Sequence, residues 1–190
     1  MNDVAHAVLR FWFGEAPPFV SRPVWFRKDD AFDHEIAQRF GTVIEQALNG
    51  ELTGWDDNAE SALAHVIVLD QLPRNMFRNT PRAFAGDAQA LRTARAMLAR
   101  GDDQQLHPPQ RLFVYLPFEH AESPVVQEES LRLFGALRAA SADADDLLDY
   151  AKRHHAIIAR FGRFPHRNAT LGRESTPEET AFLSQPGSGF

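Results

Sequence analysis

The side chains that could do chemistry in this chain fall in three polar stretches, and the most unusual one lies near the C-terminus. Between Asp149 and Glu174 there is no acidic residue, although the whole chain has a formal net charge of -6. Because a guanidinium group matches the geometry of carboxylate and phosphate, this stretch predicts an anion-binding site. Its basic and imidazole side chains are Lys152, Arg153, His154, His155, Arg160, Arg163, His166, Arg167 and Arg173.

Part of this basic stretch can be explained without a ligand. Basic residues at the C-terminal end of a helix interact favourably with the helix dipole, by about 0.3–1 kcal/mol each. This explanation covers Arg160 and Arg163, but residues beyond the helix end that Gly162 predicts need another partner. We therefore predict an anionic ligand, bound by Arg163, His166, Arg167 and Asn168.

The two adjacent histidines of this stretch are expected to have different surroundings. Neighbours in sequence diverge by roughly 100 degrees around a helix. His154 continues the apolar stripe that includes Leu147, Ala151 and Ile158, so we predict a hydrogen-bonded interior histidine. His155 lies next to that stripe and can reach a cleft, which makes it a candidate general base.

The second polar stretch, at 115–123, holds Glu119, His120 and Glu122. A carboxylate beside a histidine stabilises the imidazolium and raises its pKa, which suits general acid–base catalysis. We therefore predict His120 as a general base, with Glu119 or Glu122 orienting it, and Glu122 also as a candidate ligand-binding residue. The alternative is a capping turn whose glutamates lie near the positive end of the next helix. Joined with His155 or His166, these residues match no zinc motif of fixed spacing, so we predict no metal and no cofactor.

The third polar stretch runs from 70 to 75 and contains Gln71, Arg74 and Asn75. Proline removes a backbone donor and disrupts a helix, so Pro73 predicts that the helix ends or kinks there and that the freed carbonyl groups need donors. In a structural interpretation, Asp70 and Arg74 pair across this turn. In a functional interpretation, Gln71, Arg74 and Asn75 project into a cleft as ligand-binding residues.

The elements that must position these stretches follow helical spacing throughout. Apolar residues recur three and four positions apart, and no segment alternates apolar and polar residues as a strand would. The predicted fold class is therefore all-α, and short connections predict stacked antiparallel helix pairs. The predicted boundaries include a cap at Asp29 or Asp30, a capping box formed by Asp57 and Glu60, a helix from Pro108 that ends before Pro117, a long helix from Asp143 to Phe161 and a capping box at Thr176.

Composition sets the class of protein and excludes several kinds of site. The chain has 190 residues and no cysteine, which excludes disulfides and thiolate-based metal sites. Its length predicts a single helical domain over 1–185 and a mobile tail over 186–190. No apolar run is long enough to cross a membrane and no signal peptide is recognisable, so we expect a cytoplasmic protein without a membrane partner. The net negative charge disfavours nucleic acid as a partner, and the oligomeric state is not predicted.

Several blocks of the sequence resemble those of a known family. The motifs are Val-Leu-Asp-Gln-Leu-Pro-Arg-Asn at 68–75 and Phe-Gly-Arg-Phe-Pro-His-Arg-Asn at 161–168, together with residues 83–87, 113–122 and 171–179. In this order they resemble the signature blocks of the bacterial domain-of-unknown-function family 924, with Leu72 where phenylalanine is expected in many relatives. The resemblance implies a tetratricopeptide-like helical fold and suggests that the polar stretches meet on one concave surface. It implies no activity, because the family has no established function.

Three functions are compatible with these patterns. The first is a binding module in which a cleft lined by arginine and histidine holds a small anionic molecule or a peptide carboxylate. The second is a metal-free hydrolase or lyase that uses a His–Glu pair, with arginines stabilising developing negative charge. The third is a purely structural role, in which the polar blocks satisfy helix ends that meet in the interior. We favour the binding module.

Overall fold

The computed structural model describes residues 3–140 and 145–189, which form helices joined by turns and loops, without any strand. This confirms the predicted all-α fold class. The α-helices are α1 (Asp3–Phe13), α2 (Asp30–Leu48), α3 (Ala59–Val66), α4 (Leu72–Met76), α5 (Asp87–Arg100), α6 (Pro108–Glu119), α7 (Pro124–Ala140), α8 (Asp145–Phe161) and α9 (Pro177–Leu183). A π-helical segment, Ile67–Gln71, joins α3 to α4, and short 3-10 helices cover Pro23–Trp25, Pro81–Phe84, Asp102–Gln105 and Pro165–Arg167.

Successive helices pack against each other in the C-terminal half, where α6 contacts α7 and α7 contacts α8. In the N-terminal half α3 is central and contacts α1, α5 and α6. The side chains of α3 are accordingly buried on almost every face. The tetratricopeptide-like arrangement stays a prediction, as does the division into a domain over 1–185 and a tail, of which Phe190 lies outside the described residues.

The predicted helix starts are largely confirmed. The Asp29 carboxylate accepts a hydrogen bond from the Phe32 amide at 2.9 Å, and Thr176 forms the predicted capping box with Glu179. The predicted capping role of Asp57 is wrong by one residue. Asn58, whose backbone is extended, caps α3 by accepting from the Ser61 amide at 3.1 Å, because an N-cap needs non-helical backbone angles. The predicted helix start at Asp143 lies outside the described residues.

The helix that was expected to end or kink at Pro73 continues past it, with a π turn just before the proline. Residues 59–76 continue from α3 through the π segment into α4, and the Leu72 amide donates to the Ile67 carbonyl. Proline is tolerated in the first turn of α4 because its missing N–H needs no partner there. The side chain of Arg74 donates to the Asp70 carbonyl at 2.5 Å, so the expected need for side-chain donors at this point is confirmed. Such single π turns are frequent at functional sites.

A second proline, Pro117, was also expected to follow a helix end, and that expectation is wrong. Helix α6 runs through Pro117 to Glu119. A proline inside a helix costs about 3 kcal/mol or more through the lost hydrogen bond and its ring clash. Every side chain from Leu112 to Glu119 is buried, so packing offsets that cost and carries the helix on to its last residue.

Aromatic rings form the centre of the main core. Phe113 of α6 is fully buried and lies 5.5 Å from Trp12, 5.4 Å from Phe13 and 4.9 Å from Trp25, measured between ring centroids. These rings meet edge to face, the arrangement that the quadrupole of an aromatic ring favours. A smaller apolar cluster of Ile157, Ile158 and Phe164 forms at the end of α8. No helix in the described part of the chain is long and apolar enough to cross a membrane.

The π segment constrains one glycine in the turn before α5. A Cβ atom added at Gly86 would collide with the carbonyl oxygen of Leu69, a backbone atom that cannot move aside. We expect Gly86→Ala to lower the free energy of unfolding by about 2 kcal/mol, because overpacking must displace the π segment. Gly135→Ala is the control, since a Cβ there meets nothing within 4 Å and alanine favours the helix. Urea unfolding measures both, and equal effects would contradict this explanation.

Candidate functional site

Five ionisable residues from five elements of the chain form the group that we call the charge cluster, in which Asp70 and Arg167 are buried and the others are partly buried: Asp70, Arg74, Asp87, His120 and Arg167. The π segment carries Asp70, α4 carries Arg74 and α5 begins with Asp87. His120 follows the last residue of α6, and Arg167 ends a 3-10 helix. The three polar stretches predicted from sequence therefore each contribute at least one member, and the structure brings these members together.

Asp70 lies at the centre of the cluster and is fully buried. Its carboxylate accepts hydrogen bonds from His120 Nδ1 at 2.8 Å and from Gln71 Nε2 at 2.5 Å, and Arg74 Nη1 lies 3.3 Å away. Burial alone would raise the pKa of Asp70, but the charges of Arg74 and His120 and the hydrogen bonds from His120 and Gln71 lower it. Asp70 is therefore ionised, and the predicted pairing of Asp70 with Arg74 is confirmed.

The bond to Asp70 determines which nitrogen of His120 is free to react. An ionised carboxylate only accepts hydrogen bonds, so Nδ1 of His120 carries the proton and Nε2 keeps its lone pair. Burial lowers the pKa of His120 despite the neighbouring charge of Asp70, which favours the neutral ring. A neutral imidazole oriented by a buried carboxylate is the arrangement of a general base.

Arg74 is neutralised within the molecule. It donates to both carboxylate oxygens of Asp87, at 2.8 and 3.0 Å, in addition to the Asp70 carbonyl. Its guanidinium also lies 5.5 Å from the centre of the Phe84 ring. The prediction that Arg74 binds a ligand is therefore not supported by a free donor pair, because the bidentate face already holds Asp87.

Arg167 has far fewer partners than Arg74. Its side chain is 8% exposed, and its one ion-pair contact among the described residues joins Nη1 to Asp87 Oδ2 at 3.4 Å. The Nε–H group is buried and has no acceptor among the described residues. The guanidinium lies over the rings of Phe84 and Phe164, at 4.7 and 4.5 Å from their centroids. Burial lowers the pKa of Arg167 to about 10, and the charge of Arg74 acts in the same direction.

A neutral pair borders the charge cluster. Glu119 is 4% exposed, and burial together with the charge of Asp70 raises its pKa to about 8. Its carboxyl oxygen lies 3.2 Å from His154 Nδ1, which donates to the Tyr150 carbonyl at 2.9 Å. Burial lowers the pKa of His154 to about 3. His154 is thus the hydrogen-bonded interior histidine that the sequence predicts, and its ring lies 6.4 Å from that of His120.

The predicted His–Glu pairs of the second stretch are wrong. His120 pairs with Asp70 and not with Glu119 or Glu122, because the π segment brings a carboxylate from 50 residues away into reach. Glu122 instead accepts two hydrogen bonds from Arg173, at 2.6 and 2.9 Å, and one from the Phe164 amide at 2.7 Å. Glu122 therefore positions the segment that carries Arg167.

His155 lies away from the charge cluster. Its Nε2 contacts the exposed carboxylate of Glu128 at 2.8 Å, and its side chain is 28% exposed. Because adjacent residues of a helix point in different directions, His155 faces α7 whereas His154 faces the interior. The expectation that His155 lines the same cleft as the arginines is wrong.

The remaining predicted ligand residues have partners within the chain. Arg163 donates to Glu179 at 2.6 and 2.8 Å, and this pairing lowers the pKa of Glu179 to about 2. Asn168 is buried and donates to Ser175 at 3.1 Å. Asn75 donates to Asp33 of α2 at 2.8 Å. His166 is partly buried, and burial and the charge of Arg167 lower its pKa to about 4.

The comparisons with known proteins agree with the signature blocks. A family profile described as a bacterial protein of unknown function (DUF924) matches residues 8–187. The chain belongs to this family. A solved structure of a protein of unknown function from Agrobacterium tumefaciens is 40% identical, covers 96% of this chain and 97% of its own, and has a TM-score of 0.84. No curated protein matches the chain. Membership of the family therefore establishes a shared fold. The chemistry has to be inferred from the residues of the site.

Sequence reasoning missed several residues that complete the site in this family member. Asp87 was given no role as a partner for arginine, and Phe84 and Phe164 were not considered as walls for a guanidinium. The available signal was the block at 83–87, which places an aromatic ring and an aspartate three positions apart at the start of α5. Among residues 3–140 and 145–189, no three His, Asp or Glu side chains are grouped so that they could hold a metal ion.

The raised pKa of Glu119 predicts how stability depends on pH. Between about pH 5 and pH 8 the folded protein keeps a proton that the unfolded chain releases, so stability falls as pH rises through this window. Glu119→Gln removes the titration, and the wild type should lose on the order of 1 kcal/mol per pH unit relative to this variant. Urea unfolding from pH 5 to 8 measures the slopes. The exposed Glu60→Gln is the control, and parallel slopes for wild type and Glu119→Gln would contradict the raised pKa.

Proposed function

We propose that the protein binds a small anionic compound, through a carboxylate or phosphate group, at Arg167. The observation that supports this proposal is the buried guanidinium of Arg167 with an Nε–H group that has no acceptor among the described residues. An unsatisfied buried donor costs about 1–3 kcal/mol, and more when the group is charged. A bound anion would remove that cost.

The unequal pairing of Asp87 with Arg74 and Arg167 also supports an anion site at Arg167. Arg74 takes both oxygens of Asp87 at 2.8 and 3.0 Å, whereas Arg167 reaches one of them at 3.4 Å. Charge-assisted hydrogen bonds between nitrogen and oxygen are about 2.7–2.9 Å long. Arg167 therefore keeps most of its donor capacity, including the Nε and Nη groups that bind a carboxylate bidentately.

The surroundings limit the kind of ligand. The guanidinium is held between Phe84 and Phe164 and is almost completely buried, so the group that reaches it must be small. Inorganic phosphate, a short carboxylic acid or the terminal carboxylate of a peptide meets this condition. Arg163, Asn168 and Glu122 would support such a site by fixing the segment around Arg167 and would not contact the ligand.

Titration calorimetry with phosphate, acetate and the dipeptide Gly-Gly tests the proposal. Arg167→Lys keeps the charge but loses the planar pair of donors, so we expect binding of the recognised anion to weaken by about tenfold or more. Arg160→Gln is the control, because Arg160 is exposed and pairs with the exposed Glu178 of α9. Thermal unfolding of each variant shows that it is folded. Absence of binding by the wild type, or equal binding by folded Arg167→Lys, would overturn the proposal in favour of a structural role.

A second candidate function is metal-free hydrolysis or elimination with His120 as general base. It is favoured by the 2.8 Å bond between Asp70 and His120 Nδ1, which orients the ring and leaves Nε2 to accept a proton. Asp70 takes the orienting role that the sequence suggested for a glutamate. Arg167 would then stabilise negative charge that develops on the substrate, as preorganised donors do in other enzymes.

Activity assays with ester, amide and phosphoester substrates separate the two candidates. If a substrate is turned over, His120→Asn should lower kcat by about 10²–10⁴, the contribution of a general base. Asp70→Asn should alter the pH profile of kcat, because the amide no longer stabilises the imidazolium that forms. His155→Asn is the matched histidine control. Turnover that survives in folded His120→Asn would exclude this mechanism.

A further inference from the structure

A cavity of about 320 Å³ lies between the end of α2, α3 and α5, and none of its lining residues belongs to the charge cluster. We call it the α3–α5 cavity. Its polar walls are formed by Asp56, His65, Gln89, Arg92 and Thr93. A volume near 300 Å³ is at the lower end of the range for small-molecule sites in proteins.

One wall of the α3–α5 cavity carries a fixed negative charge. His65 Nδ1 lies 2.9 Å from Asp56 Oδ1, and the His65 side chain is 13% exposed. This hydrogen bond lowers the pKa of Asp56, and Thr93 adds a further hydrogen bond, so the carboxylate is ionised. The ring of Trp55 packs at 6.1 Å from that of His65 and holds the pair in place.

The adjoining wall is one face of α5. Gln89, Arg92, Thr93 and Ala96 are spaced at intervals of three and four residues, which places them on the same side of the helix. Arg92 donates to the Ala88 carbonyl of its own helix at 3.2 Å and has no ion-pair partner among the described residues. Gln89 Oε1 is buried and accepts no hydrogen bond from the described residues. This wall therefore offers a free cation beside an unused acceptor.

The third wall combines an apolar surface with the end of α2. Ala47 and Gly50 border the cavity where α2 ends, together with the apolar side chain of Leu52. The C-terminal end of a helix is the negative pole of its dipole, so this wall favours a positive group. Leu52 and Ala47 can cover an apolar substituent.

We propose that the α3–α5 cavity binds a free α-amino acid, with the ligand carboxylate on Arg92 and the ligand ammonium on Asp56 and Gln89 Oε1. The charges of the cavity, positive at Arg92 and negative at Asp56, match a zwitterion and disfavour a simple anion or a simple cation. The ammonium also faces the negative pole of α2. An aliphatic side chain fits against Leu52 and Ala47, which the cavity volume accommodates.

Titration calorimetry of the Arg167→Lys variant with L-valine, isobutylamine and isovalerate tests each part of the proposal, because this variant weakens any binding of a short carboxylate at the charge cluster. The two analogues keep the branched carbon skeleton of valine and lack its carboxylate or its ammonium group. We expect L-valine to bind about tenfold or more tightly than either analogue, because each analogue leaves one charged wall unpaired. L-Valine binding no tighter than that of both analogues, or no binding at millimolar concentration, would overturn the proposal.

Substitutions on α5 provide matched controls. Arg92→Gln should weaken L-valine binding by about tenfold, whereas Arg95→Gln, three residues further along α5 and paired with Glu129, should leave it unchanged. Asp56→Asn should weaken valine but not isovalerate. Both arginines are exposed, so the variants are expected to fold. Equal effects at Arg92 and Arg95 would refute the site.

Arg167→Lys should not change valine binding, which separates this site from the anion site at the charge cluster.

Discussion

The negative charge of Asp70 is the constraint on which the rest of the charge cluster depends. Its side chain has no access to solvent, and a buried carboxylate costs several kcal/mol relative to water unless it is paired and hydrogen-bonded. His120, Gln71 and Arg74 supply those partners from two separate parts of the chain. The π turn and the unbroken course of α6 through Pro117 are what bring the two parts together. The irregular features of both helices thus place the partners that this one buried charge needs.

The neighbouring titratable groups adopt the protonation states that this charge and their own burial allow. Glu119 keeps its proton near neutral pH because burial and the field of Asp70 raise its pKa to about 8. Burial keeps His154 neutral, with a pKa of about 3. Arg167 lies in the same apolar surroundings as a cation. Its nearest carboxylate, that of Asp87, already accepts two hydrogen bonds from Arg74. Strongly perturbed groups gathered in one place are characteristic of functional sites, although structural networks also produce them.

The all-α class and most helix starts followed from the sequence, because spacing and capping are local properties. The convergence of the polar stretches was suggested only by the resemblance to the family. The pairings did not follow from the sequence. His120 was assigned to a glutamate one or two residues away, but α6 directs Glu119 towards His154 and leaves His120 facing Asp70. A helix separates adjacent residues by a large angle, so the partner of a histidine depends on tertiary packing that no local pattern contains. Pro73 was expected to end or kink its helix, and Pro117 was expected to follow a helix end. Both helices continue because burial outweighs the local effect of proline.

The contacts that hold Arg167 in place join distant parts of the chain. Arg167 and Asp87 are 80 residues apart, and Glu122 and Arg173 are 51 residues apart. Pairings of such long range form late, since the chain must first close large loops. The segment around Arg167 should therefore open and close as one cooperative unit on the finished helical core, exchanging its amide hydrogens together and faster than those of α3.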